Sequence, residues 1–398
     1  MSWLLEDIGS HIEIIKTWNP SESNLDEEFF YIDLSSVDKD KKTIDLALVQ
    51  KVLGSNAPSR ARQLVKTSDV LVSTVRPNLN GVARVPDKLN DATASTGYCV
   101  LRANKQTLNS NYLFYWVRSD YFVNDMISKA TGANYPAVSD KTIKQSRIPL
   151  PPLPEQQKIA SILDAADNLR QKDQQLIEKY TALSQSLFLE MFGDTWMNSK
   201  SWQETPLSQL VKPDKIITYG IVQAGPNIEN GIPYIRTGDI QQGKINTLDL
   251  LKTSNEIAKS YERSKCSSGD IVMSIRATVG TIAFLPSELD GANLTQGTAR
   301  ISPNQLVVNP LYLFHCIKSK GIQLKIDSYT KGATFREITL GKLRNINIPL
   351  PPMTLQNQFA ERIQVIEAQK QLALASLEKS EALFNSLLQR AFKGELTT

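Results

Sequence analysis

Ile148-Pro149-Leu150-Pro151-Pro152 returns 200 residues later as Ile348-Pro349-Leu350-Pro351-Pro352. Downstream of the two boxes, segments 148–192 and 348–392 agree at 15 of 45 positions without a gap, so the chain is a duplication and not two unrelated parts. The shared positions include Gln156/Gln356, Ala160/Ala360, Glu178-Lys179/Glu378-Lys379 and Phe192/Phe392. Upstream, Tyr112-Leu113-Phe114 matches Tyr312-Leu313-Phe314, Gly132-Ala133 matches Gly332-Ala333, and Arg76 matches Arg276 at the same offset. Tyr31-Ile32 aligns with Tyr234-Ile235 only at 203, so the halves share a plan while their loops have drifted.

Each half divides at its box. Ahead of it lie about 150 residues of short β-branched runs, Gly/Asn/Pro turns and one helix around 109–127 or 309–327. Behind it the pattern turns helical. Pro154 falls in a first turn, and the next helix breaker is Gly193. Apolar residues recur at Ile159, Leu163, Ala166, Leu169, Leu176/Ile177, Tyr180, Leu183, Leu187 and Met191. The second copy gives Phe359, Ile363, Ile366, Ala373, Leu377, Phe384, Leu387 and Ala391. Alternating steps of three and four describe a coiled-coil seam. Residues 155–191 as one helix measure roughly 55 Å.

Two such stripes in one chain bury each other most simply as an antiparallel pair; the alternative is that each helix packs on its own domain. The expectation is therefore an α+β chain with an internal pseudo-twofold repeat, two similar mixed domains (1–147 and 195–347) and two long antiparallel coiled-coil helices (148–194 and 348–398).

Composition excludes several classes. The 398 residues carry a net charge of +4, which fits neither an acidic tail protein nor a histone-like binder. No apolar run of about 18 residues occurs, so no membrane partner is expected. The start, Met1-Ser2-Trp3-Leu4-Leu5-Glu6-Asp7, lacks a basic region and a long apolar core. Cys99, Cys266 and Cys316 are too scattered for a disulfide framework or a zinc cage, so a reducing, cytoplasmic setting is expected.

Catalytic signatures are missing as well. Gly238-Asp239-Ile240-Gln241-Gln242-Gly243-Lys244 imitates a phosphate loop, yet Ile245 offers magnesium no hydroxyl, and the stretch reads as a β-turn. Pro86-Asp87 and Pro213-Asp214 are not followed by the Asp/Glu-x-Lys of a nuclease site. The Pro-Pro pairs sit at domain junctions and not in a base-holding methyltransferase loop. His11 reads as a surface residue and His315 as one on a helix face. No catalytic residue, cofactor or metal is expected.

Charge is distributed unevenly. Residues 1–50 hold 4 basic and 11 acidic side chains, 51–147 hold 14 and 6, and 195–347 hold 18 and 12. The basic excess lies in the domains ahead of the boxes, where it suits phosphate contact as well as an ordinary solvated face. Arg76, Asn78 and Asn80 follow one strand-like run, and Arg276 and Thr278 follow the corresponding run. Thr131, Asn134 and Tyr135 follow one helix, while Lys331, Thr334 and Arg336 follow its counterpart. Asn and Arg suit base edges, Lys suits phosphate, and glycine permits close approach. Gly132 and Gly332 also read as plain helix C-caps. Arg60, Arg62, Lys66, Arg263 and Lys265 are further phosphate candidates.

Two variable domains, each followed by Ile-Pro-Leu-Pro-Pro and a long helix, resemble the specificity subunit of type I restriction-modification systems. Residues 148–157 are close to that family's usual box; the second box keeps Gln356 but has Thr354-Leu355 where Pro-Glu is usual. The resemblance covers essentially the whole chain. It implies a non-catalytic subunit whose two target recognition domains each read half of a split, asymmetric double-stranded DNA site. It implies helices that act as a spacer, with Gln156, Ile159, Leu163, Leu183, Leu187, Gln356, Phe359, Ile363 and Leu387 among their spacer and partner-facing residues. Two methyltransferase (modification) subunits carrying S-adenosylmethionine are implied as partners, together with restriction/translocase subunits. A helix of roughly 55 Å spans about one and a half turns of B-DNA, which leaves an unread gap. The competing reading is a coiled-coil adaptor that joins proteins without reading DNA.

Overall fold

The structure is a computed structural model, and it describes residues 3–23, 25–241, 243–332 and 336–396. It is α+β and divides into two compact units, Met1–Leu176 with Ala373–Thr398, and Ile177–Leu372. Among the described residues no helix is long and apolar enough to cross a membrane.

In the first unit the strand Val70–Ser73 sits inside an antiparallel sheet between Tyr98–Ala103 and Val82–Arg84, with Ile12–Glu13 at the edge. Its run is apolar at consecutive positions because both faces are covered. Val70 and Val72 join the core of Tyr112, Leu113 and Phe122, whereas Leu71 joins Ile32, Ala83 and Val85 on the other side. A second sheet places Glu28–Ile32 between Gln50–Leu53 and Thr93–Ser95, the latter pairing in parallel, and ends at Ala61–Leu64. The second unit repeats the scheme. Ile271 and Met273 face Tyr312 and Leu313, while Val272 faces Ile235 and Ala283.

The helix expected around 109–127 is two helices, Ser110–Trp116 and Asp120–Lys129, and 309–327 likewise divides into Pro310–Lys318 and Lys320–Tyr329. Extended backbone at Ser119 (ψ 150°) and Ser319 (ψ 147°) interrupts each ladder, and the Ser119 hydroxyl then caps the new helix. Asn109 and Asn309 cap the preceding helices through their side chains.

The boxes close these domains before they open the long helices. Arg147–Pro149 pairs antiparallel with Leu5–Asp7, and Asn347–Leu350 with Gln203–Pro206. The Tyr112 hydroxyl donates to the Pro149 carbonyl at 2.7 Å, and Tyr312 donates to Pro349. The helices then run over Leu153–Phe192 and Met353–Lys393, about 60 Å each. Gly193 (φ +78°) and Gly394 (φ +79°) follow in the left-handed conformation that ends a helix.

Burial along both helices recurs with steps of three and four, on the track 159, 163, 166, 170, 173, 177, 180, 184, 187, 191 and its image 200 residues later. The second copy follows the sequence-derived stripe. The first departs from it: Leu169, Leu176 and Leu183 are 45%, 39% and 49% exposed, one position off the track. The track itself holds Arg170, the buried Asp173, Ile177 and the buried Ser184. Hydrophobicity pointed to Leu169 and Leu183 because the true positions beside them, Arg170 and Ser184, are polar, while Ile177 of the Leu176/Ile177 pair is the one on the track. In the first unit Ser376 Oγ donates to the Asp173 carboxylate at 3.1 Å, and in the second Ser184 Oγ donates to Glu367 at 3.5 Å.

Of two smaller expectations one changes and one holds. His11 is buried, its Nε2 lying 2.8 Å from Glu6 Oε2, because it ends a turn folded against the first core. The imitation phosphate loop is a hairpin, Ile240–Gln241 pairing with Lys244–Ile245, as the turn reading anticipates.

Candidate nucleic-acid interface

In each unit the loop after the central strand meets the loop after the second short helix. Val75 bridges Ala137, which itself bridges Thr131, and the Arg76 N–H donates to the Pro136 carbonyl at 2.7 Å. In the second unit Arg276 bridges Glu337, which bridges Lys331, and the Ala277 N–H donates to Arg336 at 2.9 Å. These pairings correct the alignment of the two arginines. Arg276 occupies the position of Val75, and Arg76 that of Ala277, because the loop leading to the next strand is one residue longer in the first unit. Arg76 (φ +51°) and Ala277 (φ +57°) both take the left-handed conformation that turns the chain there.

The first loop pair gathers Arg76, Asn78, Thr131, Asn134 and Tyr135, all exposed. The Arg76 guanidinium lies 4.8 Å from the Tyr135 ring centroid, a cation–π contact that holds both side chains without using the guanidinium's donors on a carboxylate. Asn80 differs from its neighbours. Its Nδ2 is 3.5 Å from the Arg118 carbonyl, its buried Oδ1 has no partner among the described residues, and its own carbonyl accepts from Lys42 Nζ at 2.6 Å. It faces inward and braces the loop from below.

The second loop pair is already salt-linked. Arg276 donates through Nε and Nη2 to Glu337 Oε1 at 3.2 and 3.0 Å, and Arg336 donates to Asp327 at 2.6 Å. Thr278 lies 3.1 Å from the Ser274 hydroxyl, and Lys331 is exposed. Thr334 lies outside the described residues. Each exposed pair is worth at most about 1 kcal/mol, so its guanidinium can exchange carboxylate for phosphate or a guanine edge at small cost.

The remaining candidates sit elsewhere on the domains. Arg60 and Lys66 flank the strand Ala61–Leu64 and Arg62 lies within it, donating to the Ala61 carbonyl at 2.8 Å. Arg263 lies in the turn Glu262–Ser264, and Lys265 follows it at 3.4 Å from Glu262. Glu337 and Lys42 restrain these loops without belonging to any sequence motif; the adjacent opposite charges of Arg336-Glu337 are the sequence signal for the first.

The spacer and partner-facing set divides by burial. Gln156, Ile159, Leu163, Gln356, Phe359 and Ile363 are buried, Leu187 and Leu387 are partly buried, and Leu183 is exposed. The three cysteines are all buried, and burial pushes each thiol up, Cys316 to about 12, so none is a ready nucleophile.

Comparison with known proteins agrees with this duplicated architecture. A family model described as the type I restriction modification DNA specificity domain matches twice, over residues 17–179 and 201–380. The EcoBI specificity subunit of Escherichia coli is 26% identical over 75% of this chain and 68% of its own length. The MjaX specificity subunit of Methanocaldococcus jannaschii, described as putative, is 24% identical over 99% of this chain and 93% of its own. Among solved structures, a chain from work on complex assembly and conformational transition of the type I R-M system is 25% identical with a TM-score of 0.57, covering 99% of this chain and 98% of that one. The type I restriction-modification S subunit from M. genitalium shares the fold at 16% identity and a TM-score of 0.58, covering 98% and 96%. With the family model matching both halves of the repeat, the chain belongs to the type I restriction modification DNA specificity family.

Proposed function

We propose that this chain is the non-catalytic, DNA-sequence-reading subunit of a type I restriction-modification complex. The domains 1–147 and 195–347 each read one half of a split, asymmetric duplex site. The long helices of 148–194 and 348–398 pair as an antiparallel coiled coil related by a pseudo-twofold, set the gap between half-sites and carry two modification subunits. Restriction/translocase subunits act on that assembly. The observation that carries the reading is the duplicated loop pair, with Arg76 and Tyr135 in one unit and Arg276, Lys331 and Arg336 in the other. In each, a strand-end loop and a helix-end loop meet where exposed or half-exposed cationic groups, joined in the first unit by the Asn78 and Asn134 amides, are held by weak, exchangeable contacts.

A base-edge contact from such groups is worth about 1–3 kcal/mol, and phosphate contacts add affinity without sequence preference. Selection from random duplex DNA by the chain assembled with its modification subunits tests this. Enrichment of a motif with two specified segments around an unspecified gap is the expected result. Binding with no enriched motif would instead favour an adaptor role.

A further inference from the structure

Within the second unit a cavity of about 430 Å³ opens between the Ser319 turn and the long helices, lined among others by Ser184, His315, Lys318, Ser319 and Lys370. The first unit has a cavity at the equivalent place, where Arg118, Ser119 and Arg170 stand for Lys318, Ser319 and Lys370.

The first cavity neutralises its own charge. Arg118 donates to both oxygens of Asp167 at 3.2 and 3.3 Å, and Arg170 donates to Asp167 at 2.9 Å. The Phe384 ring lies 4.8 and 5.6 Å from the two guanidinium carbons and fills the space beside them.

Each of these parts is altered in the second unit. Lysines replace both arginines, and Ser184 replaces Phe384, which removes a ring's volume. Glu367 stands at the place of Asp167 but lies 3.5 Å from the Ser184 hydroxyl, which is closer to the Tyr180 carbonyl at 3.0 Å. Among the described residues neither Lys318 nor Lys370 has an ion-pair partner within 4.0 Å. Both serine hydroxyls donate to the carbonyl three residues back, but Ser119 also accepts from the Phe122 N–H at 3.4 Å, whereas Ser319 lies 2.7 Å from the Thr195 hydroxyl and leaves the start of Lys320–Tyr329 uncapped by its side chain. The positive end of that helix therefore adds to the two ammonium groups. Partial burial and the neighbouring Lys370 lower the Lys318 pKa, and burial with Lys318 and Lys370 pushes His315 down to about 4. Glu367 lines the same cavity and offsets part of this charge, but among the described residues no carboxylate lies within 4.0 Å of either ammonium, so an oxyanion placed between the two lysines gains direct charge-assisted contacts that the protein does not supply.

We propose that this cavity binds a phosphate group, free or at the end of a nucleotide, between Lys318 and Lys370. The site is independent of the DNA-reading loops, so its failure leaves their assignment untouched. Calorimetric titration of the full chain with inorganic phosphate, and separately with ATP in the absence of divalent metal, at constant ionic strength, tests it. One-site saturable binding of either ligand is expected. Saturation by phosphate identifies a free anion, and saturation by ATP alone identifies a nucleotide. Lys318→Gln and Lys370→Gln should each weaken binding at least tenfold, while Lys88→Gln, on an exposed turn of the first unit, should leave it unchanged. Absence of saturable binding for both ligands, or equal binding by wild type and both cavity variants, would overturn the proposal. Circular dichroism of the variants separates lost binding from lost fold.

Discussion

Gln156 Oε1 accepts a hydrogen bond from the Asn109 backbone N–H at 2.8 Å, while its Nε2 donates to the Thr107 and Pro151 carbonyls at 3.0 and 2.9 Å. Gln356 repeats the arrangement on Asn309 and Pro351, at 2.8 Å each. One buried amide thus ties the first turn of a long helix to the cap of a domain helix. Gln156→Ala should strand these polar groups and lower the unfolding free energy of the first unit by about 1–3 kcal/mol, read from urea denaturation. Gln356→Ala should do the same in the second.

The Arg118–Asp167 pair is nearly solvent-free, with side chains 4% and 7% exposed. Burial alone would raise the Asp167 carboxyl, but Arg118 and Arg170 outweigh it and hold it below the usual range. Its stabilisation is therefore present above the unfolded carboxyl pKa of about 3.9 and is lost as pH falls through the lower folded value. Arg118→Ala leaves Asp167 with Arg170 as its remaining cation, so it should cost about 1.5–3 kcal/mol, the scale of hydrogen bonds to a charged group. Denaturation of this variant near pH 7 checks the magnitude.

His315 supplies an acid-sensitive element in the second unit. Its pKa falls to about 4, so below pH 6.5 the unfolded chain takes up a proton that the folded chain refuses. Stability should decline from pH 6.5 to about 4, by up to roughly 3 kcal/mol, and be insensitive to this group above pH 7. Urea midpoints at pH 7, 6, 5 and 4.5 give the slope, and His315→Asn should flatten it.

The repeated box, the strand runs and the second helix stripe were legible in the sequence because each rests on local period and on apolar identity. Legibility failed where polar residues do structural work. Asp173 and Ser184 occupy buried track positions while Leu176 and Leu183 look outward, so a search for leucines slips by one residue. Ser119 divides a helix that its composition would have continued. A single extra loop residue moved Arg276 opposite Val75, which a fixed offset conceals. The loop candidates were visible as residue types, but Asn80 turning inward depends on Lys42, 38 positions away.

Arg276→Ala and Asn134→Ala should each weaken cognate DNA binding by about 1–3 kcal/mol and relax one half-site only. Binding to duplexes varied one position at a time, by the chain in complex with modification subunits, distinguishes this from uniform loss. A uniform loss would identify these residues as phosphate contacts.

Inserting one heptad in each long helix keeps the three-and-four burial track and adds about 10 Å to each. The recognised gap should lengthen by roughly three base pairs of B-DNA, at about 3.4 Å per pair. The gap in the selected motif is the readout, and an unchanged gap contradicts the spacer role.

The most direct test of the central claim is the methylated sequence in a host expressing the chain with its modification subunit, compared with a chimera whose residues 1–147 come from a relative of different specificity. The account predicts a two-part motif in which only one half changes in the chimera while the other half is retained. An unchanged motif, or one that changes in both halves, contradicts it.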